Sequence, residues 1–463
     1  LSYDLAVVGG TLVTSRRRLR TDLGVRAGKV VYIGRLGRKD RSEALRVVDA
    51  VDCLVIPGAV DPHVHFDLNI RPGMTTTDDF DSGTRAAAAS GVTTVIDYTT
   101  PGPGQSPLDA FNARRRIADG AVRVDYNLHN VLISWRPEWQ EHLSELVKLG
   151  SPSVKMFMIY SERGWQADDG MIVEVMQVCR KYGLVTCVHA ENDSLIGYYT
   201  RLAREAGAGA AALARARPPA VEEEAVARAI KLSEIADARL HLVHLSTAGA
   251  ARLISVARRR GLMITGETCP HYLVLDKKLL ARKDGHLFGC CPPLRGPAER
   301  EGLLQALSRG WLQAIATDHC AFTKAQKESW GGDFEQIPYG LPGVETSLPI
   351  SYTLGPAVGR FTERRWVALH CEGPARLFGL YPQKGSLREG ADADLIVWDP
   401  NVRRRLSAKR LQTDCDWNPY EGKRVQGLAR MVFLRGSEIA REGVFKDTAA
   451  AGRYTHRLPE RRR

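Results

Sequence analysis

Through the middle of the chain, short apolar runs alternate with longer stretches of helical spacing. Eight runs follow one another: CLVIPGAVDPHVH (53–65), GVTTVIDYT (91–99), VRVDYNLHNVL (122–132) and SVKMFMIY (153–160), then LVTCVHAEN (184–192), RLHLVHLS (239–246), LMITGETCPHY (262–272) and LQAIATDH (312–319). Short runs rich in β-branched residues are the mark of strands buried on both faces. Between them, EAVARAIKLSEIA (224–236) and GAARLISVARRRG (249–261) space their apolar residues three and four apart, as a helix with one buried face does. Eight strands alternating with helices predict an α/β fold, a closed (β/α)8 TIM-like barrel.

The flanks read differently. Residues 4–56 contain short strands around glycine turns, DLAVVGGTLV and DLGVRAGKVVYIG, and the pattern returns from about residue 383 in GSLREGADADLIVWDP and LARMVFLRGSEIAREGVF. Both flanks read as β-hairpins, too small to fold alone. The expectation is one small β-sandwich built from residues 1–56 and 382–463, beside a barrel at 57–381.

Composition supports this size of core, since 44% of the 463 residues are hydrophobic. No apolar run reaches the ~18 residues of a membrane span, and LSYDLAVVGG lacks the features of a signal peptide. The expectation is therefore no membrane association. Nine cysteines without a CxxC pair, several in apolar segments (Cys53, Cys187), read as reduced core thiols of a cytoplasmic protein. The net charge of +12 raises nucleic acid as a partner. Much of the excess lies in Arg16–Arg18, Arg114–Arg116, Arg403–Arg405 and Arg461–Arg463, none interleaved with aromatics. These clusters read as solvated surface, with no nucleic-acid partner.

The first run changes the picture most. In AVDPHVHFD, His63 and His65 are two apart, so on a strand they share a face and can close on a metal ion. An HxH alone is as often a hydrogen-bonded core pair. The other runs decide it: Lys155 lies in the fourth, His189 ends the fifth, His244 the sixth and Asp318 the eighth. Barrel chemistry sits at the C-terminal strand ends, and six polar groups converging there are poorly explained as satisfied core residues. Four imidazoles and a carboxylate suit zinc-like divalent ions. Lys155 is the oddity, because an ammonium has no lone pair. Burial can neutralise it, and a neutral amine can take up carbon dioxide as a carbamate whose oxygens could bridge two metals.

The motifs PGAVDPHVHF, SVKMFMIY, VHAEN, HLVHLS, ETCPHYL, CPPLR, ATDHC, IPYGLPGVE and GADADLIVWDP span almost the whole chain in order. By them the chain resembles the cyclic amidohydrolases of the amidohydrolase superfamily, closest to the hydantoinase and dihydropyrimidinase group. The resemblance implies that His63, His65 and Asp318 bind one divalent ion, usually zinc, and His189 and His244 a second, with carboxylated Lys155 bridging both. It implies hydrolytic opening of the cyclic amide or imide ring of hydantoins or dihydropyrimidines by metal-bridged hydroxide. Asp318 would take the proton and hand it to the leaving nitrogen, and Tyr160 would serve the oxyanion. It further implies a homotetramer acting on a small molecule.

Two substrate-binding positions depart from the usual pattern. Cys291 stands where the group often has Ser before PPLR, and Tyr339 where it often has Asn in IPNG. In that group these positions grip the ring largely through main-chain N–H and C=O groups, so the resemblance implies that the grip can survive both changes. Dihydroorotases usually carry an Arg two residues after the second histidine of HxH; Asp67 here would repel a substrate carboxylate. Allantoinase remains an alternative, as does a non-enzymatic scaffold of the same fold, although scaffolds typically lose metal ligands.

Overall fold

A computed structural model describes residues 2–207, 209–448 and 451–458, so the expected cluster Arg461–Arg463 lies outside the described residues. Eight parallel strands, β1 to β8, pair in chain order: Ala59–Val64, Val92–Tyr98, Asp125–Val131, Ser153–Phe157, Val185–His189, Leu240–Leu242, Ile264–Thr268 and Ala314–Ile315. The His65 N–H donates to the His319 carbonyl at 2.8 Å, and a parallel bridge joins Val64 to His319, which closes the barrel. Strands β1 to β3 are buried at every position, as the apolar runs predicted.

Helices return the chain between strands, and their ends are written in the sequence. Asp79 caps Phe80–Ser90 by accepting from the Asp81 and Ser82 N–H groups, and Gly91 ends that helix at φ +107°. Ser106 and Thr247 cap Pro107–Ala118 and Ala248–Arg259 in the same way. The expected helix at 224–236 is the C-terminal part of Pro219–Ala236.

The sandwich is built from both chain ends. Its seven-stranded sheet runs Val444–Phe445, Ser437–Arg441, Arg424–Leu434, Leu395–Arg405, Leu54–Pro57, Thr11–Val13, Arg18–Arg20. A four-stranded sheet of Lys29–Gly34, Asp22–Arg26, Leu5–Val8 and Val47–Asp49 faces it, and Leu5, Val7, Val25, Val55, Val397 and Phe433 lie in one core between them.

Three readings need correction. The run 53–65 is not one strand: Leu54–Pro57 belongs to the sandwich and Ala59–Val64 to the barrel. DLAVVGGTLV is not a hairpin either, because Leu5–Val8 and Thr11–Val13 enter different sheets, with Gly9 at φ +76° between them. Arg114, read as solvated surface, is buried; its Nη2 is 2.8 Å from Asp97 and its guanidinium covers the Phe80 ring. Arg16–Arg18 are exposed as expected. All nine cysteines are free and buried. No helix among the described residues is long and apolar enough to cross a membrane.

Candidate active site

The polar residues singled out at the strand ends meet at one mouth of the barrel. His63 lies within β1 and His65 just after it; Lys155 is inside β4; His189 is the last residue of β5. His244 and Asp318 stand beyond β6 and β8 with φ of +39° and +49°, and Tyr160, beyond β4, has φ +74°. Left-handed backbone at non-glycine residues costs energy and persists only where the surroundings enforce it, commonly at functional sites. Register sets the depth: Lys155 pairs with Cys187 and Phe157 with His189, so Lys155 sits two residues below the rim.

His63, His65 and Asp318 converge tightly. Their Nε2, Nε2 and Oδ1 atoms are mutually 3.2 Å apart. His63 Nδ1–H donates to Glu267 Oε1 at 2.7 Å, which leaves His63 Nε2 as the ring atom that faces the other two. Two imidazole nitrogens and a carboxylate oxygen this close are held together by a shared proton or by a cation among them. Burial opposes charge on His63, yet Asp318 and Glu267 override it and push the imidazole up to about 9. Burial would raise Asp318, but His63 and His65 hold it well below the usual carboxylate range.

The second half of the site is apolar and basic. The His189 and His244 ring centroids are 4.5 Å apart, and His244 is 5.3 Å from His63. Burial, with His189 and Lys155 adding to it, lowers His244 well below its ordinary value, and its Nδ1 is buried without a hydrogen-bond partner. The Lys155 ammonium sits 5.2 and 5.5 Å from the centroids of Phe157 and Tyr98, and burial brings it down to about 8. Burial keeps the Tyr160 phenol protonated, well above its usual range.

The two departing residues flank this half. Cys291 Sγ is 3.0 Å from Arg217 Nη1 and 3.2 Å from Glu191 Oε2. The Tyr339 hydroxyl donates to the Phe334 carbonyl at 3.0 Å, and its ring lies under Arg217. All nine residues predicted from sequence line a single cavity of about 780 Å³, the size of a small-molecule site.

Comparison with known proteins places this geometry. Residues 54–436 match the Amidohydrolase family. The chain belongs to the amidohydrolase family. It is 39% identical to a D-hydantoinase of Geobacillus stearothermophilus, covering 97% of this chain and 96% of that one. A D-hydantoinase of Streptomyces coelicolor is 35% identical over 99% of this chain and 98% of its own. The crystal structure of a dihydropyrimidinase from Brevibacillus agri superposes with a TM-score of 0.94 at 35% identity, covering 98% of this chain and 99% of that one.

Membership of this family implies divalent metal, and the donor set here fits one. Two imidazole nitrogens and a carboxylate oxygen gathered at 3.2 Å, beside a buried imidazole nitrogen without a hydrogen-bond partner, are ligand types that suit a divalent cation.

Sequence reasoning missed the supports of this amidohydrolase site. Glu267 links His63 to His241, whose Nε2–H reaches Oε2 at 3.1 Å. Glu191 accepts from His189 Nε2–H at 2.9 Å and pairs with Arg217 at 2.8 Å, which with His189 holds the carboxylate, against burial, at about 2. Both carboxylates lie at strand ends inside quoted motifs, so the rule that found Asp318 reaches them too. Arg217 arrives from a loop without periodic pattern and leaves no such signal.

Proposed function

We propose that this amidohydrolase opens the ring of hydantoins or dihydropyrimidines by adding water across a cyclic amide C–N bond. The observation that carries the reading is the approach of His63, His65 and Asp318 to 3.2 Å in one cavity with Lys155, His189 and His244. His63, His65 and Asp318 would hold one divalent ion, His189 and His244 a second, and Lys155 both, with zinc the metal suited to these donors. Ions so held supply Lewis acidity and water of lowered pKa at neutral pH.

The chain's own groups do the rest. Lys155 would hold the ions as a carbamate anion, formed when its neutral amine adds to carbon dioxide and loses one proton. Asp318, kept ionised by its histidines, accepts the proton of the attacking water and returns it to the leaving amide nitrogen. Tyr160, kept protonated by burial, donates its hydroxyl hydrogen to the developing oxyanion. Cys291 and Tyr339 read the ring's –NH–CO– edge through main-chain groups. Glu191 and Glu267 fix the tautomers of His189 and His63 by accepting from the opposite nitrogens.

A homotetramer completes the reading on the resemblance alone, a cytoplasmic location rests on the nine free cysteines, and light scattering tests the assembly. Activity is tested by following ring opening of hydantoins, dihydrouracil, allantoin and dihydroorotate with metal-loaded protein. Turnover of the first two is expected. Active protein without bound metal, or turnover confined to dihydroorotate, ends this reading.

A further inference from the structure

We infer that His319 is a positioning residue for Asp318, and that the sandwich connection carrying Thr413 and Asp414 braces the catalytic rim through it. The inference rests on the role given to Asp318 above. His319 is buried and does not line the cavity, so it acts on the site only through its neighbours.

Both ring nitrogens and the carbonyl of His319 are engaged, each with a different segment. Nδ1 accepts two main-chain N–H groups, from Gly343 at 3.1 Å and Val344 at 3.2 Å. An acceptor at Nδ1 requires the proton at Nε2, which donates to Asp78 Oδ2 at 2.9 Å. The His319 carbonyl accepts from the His65 N–H at 2.8 Å, so the residue after Asp318 is tied directly to the second histidine of HxH. Phe66 packs edge-on against the ring, with centroids 5.5 Å apart.

Asp78 carries the chain of contacts outward. Its Oδ1 accepts from the Asp414 N–H at 2.8 Å, and its Oδ2 also accepts the Thr413 hydroxyl. Thr413 and Asp414 lie in the connection between Leu395–Arg405 and Arg424–Leu434, strands of the sandwich. That connection holds the loop after Asp318 at further points: Glu345 accepts from the Gln412 N–H at 2.6 Å, Asp416 from Lys324 N–H at 2.9 Å, and the Phe322 carbonyl from Trp417 Nε1–H at 2.8 Å.

The need for such bracing lies in Asp318 itself. Its φ of +49° is a conformation an aspartate leaves readily unless the flanking residue is fixed. A side chain there must accept two N–H groups and donate to a carboxylate at once, in a rigid ring. A neutral imidazole does this.

The test compares the metal-loaded parent with His319→Phe, His319→Gln and Thr413→Val. His319→Phe should lower kcat by about a hundredfold, the scale of a misplacement of about 1 Å, while KM moves by less than about threefold. His319→Gln, which keeps a donor for Asp78, should recover part of that loss. Thr413→Val, which keeps His319, should fold as the parent does and lower kcat about fivefold, the scale of one ordinary hydrogen bond. Crystals of the variants should show the Asp318 carboxylate displaced from His63 and His65. Turnover within about twofold of the parent in the folded variants, with Asp318 in place, overturns the inference. A parent that opens no cyclic imide ends the activity reading instead, and the Asp318 position in the variant crystals then decides this one.

Discussion

At the scale of single residues, Lys155 and Cys291 make the sharpest claims. Burial brings the Lys155 amine to about 8, so the neutral form that captures carbon dioxide grows as pH rises towards that value. Recovery of decarboxylated apoprotein with bicarbonate and zinc should slow about tenfold for each unit below it. Lys155→Ala should be inactive and partly rescued by small carboxylates; Lys155→Arg should not, since a guanidinium stays protonated. A crystal structure with a bare ammonium between two occupied metal positions would refute the bridge. Burial pushes the Cys291 thiol up, so it is no thiolate nucleophile at neutral pH. A serine hydroxyl can donate to Glu191 and accept from Arg217 as the thiol does. Cys291→Ser should therefore keep turnover within about tenfold, under ~1.4 kcal/mol of barrier, whereas Tyr160→Phe should lose about a hundredfold on every substrate. Steady-state kinetics showing the reverse order would exchange their roles. His63, His65, Lys155, His189, His244 and Asp318 were legible because a polar group in an apolar run is costly unless used. Arg217 and His319 were not: one comes from a patternless loop, and the other's partners are far away in sequence.

At the scale of elements, the strand count was legible and the strand limits were not. An apolar run states that a segment is buried, but not in which sheet. The run 53–65 crosses from sandwich to barrel at Gly58, whose N–H donates to the Asp394 carbonyl at 2.8 Å. A Cβ there would lie 2.1 Å from Thr93 Oγ1 and 3.0 Å from Asp394 Cβ. The crossing therefore requires glycine for space, which periodicity cannot reveal. Gly58→Ala should cost about 1–3 kcal/mol by urea unfolding, the range for overpacking. Adding Thr93→Ala should return part of the loss. Equal stability of Gly58→Ala and the parent would mean the two sheets do not approach so closely here.

At the scale of the whole molecule, sandwich and barrel share a buried ionic cluster that composition could not announce, because charged residues usually face solvent. Lys384 Nζ reaches Asp394 at 2.7 Å and Asp392 at 2.9 Å, and it also bonds Asp125, the first residue of β3. Lys29 and Arg435 add ion pairs to Asp392 and Asp125, each at 2.5 Å. Burial opposes charge on Lys384, but the carboxylates override it and raise the ammonium above its ordinary value. Burial likewise would raise Asp392, while Lys384 and Lys29 hold it down to about 2. A carboxylate lowered by folding stabilises above its unfolded value of about 3.9, and that contribution is lost as pH falls through the folded value. Lys384→Met removes the shared cation and leaves three buried carboxylates with only their outer partners, a loss of about 3–5 kcal/mol for a broken buried pair. In the variant, burial is no longer offset by Lys384 and must raise Asp392, as it already raises Asp394 in the parent, so acid relieves the variant before it harms the parent. Urea unfolding should thus show a wide gap between parent and variant at about pH 7 and a narrower one at about pH 5. A gap below about 1 kcal/mol at both, or one that does not change with pH, would mean that apolar packing alone joins the two parts.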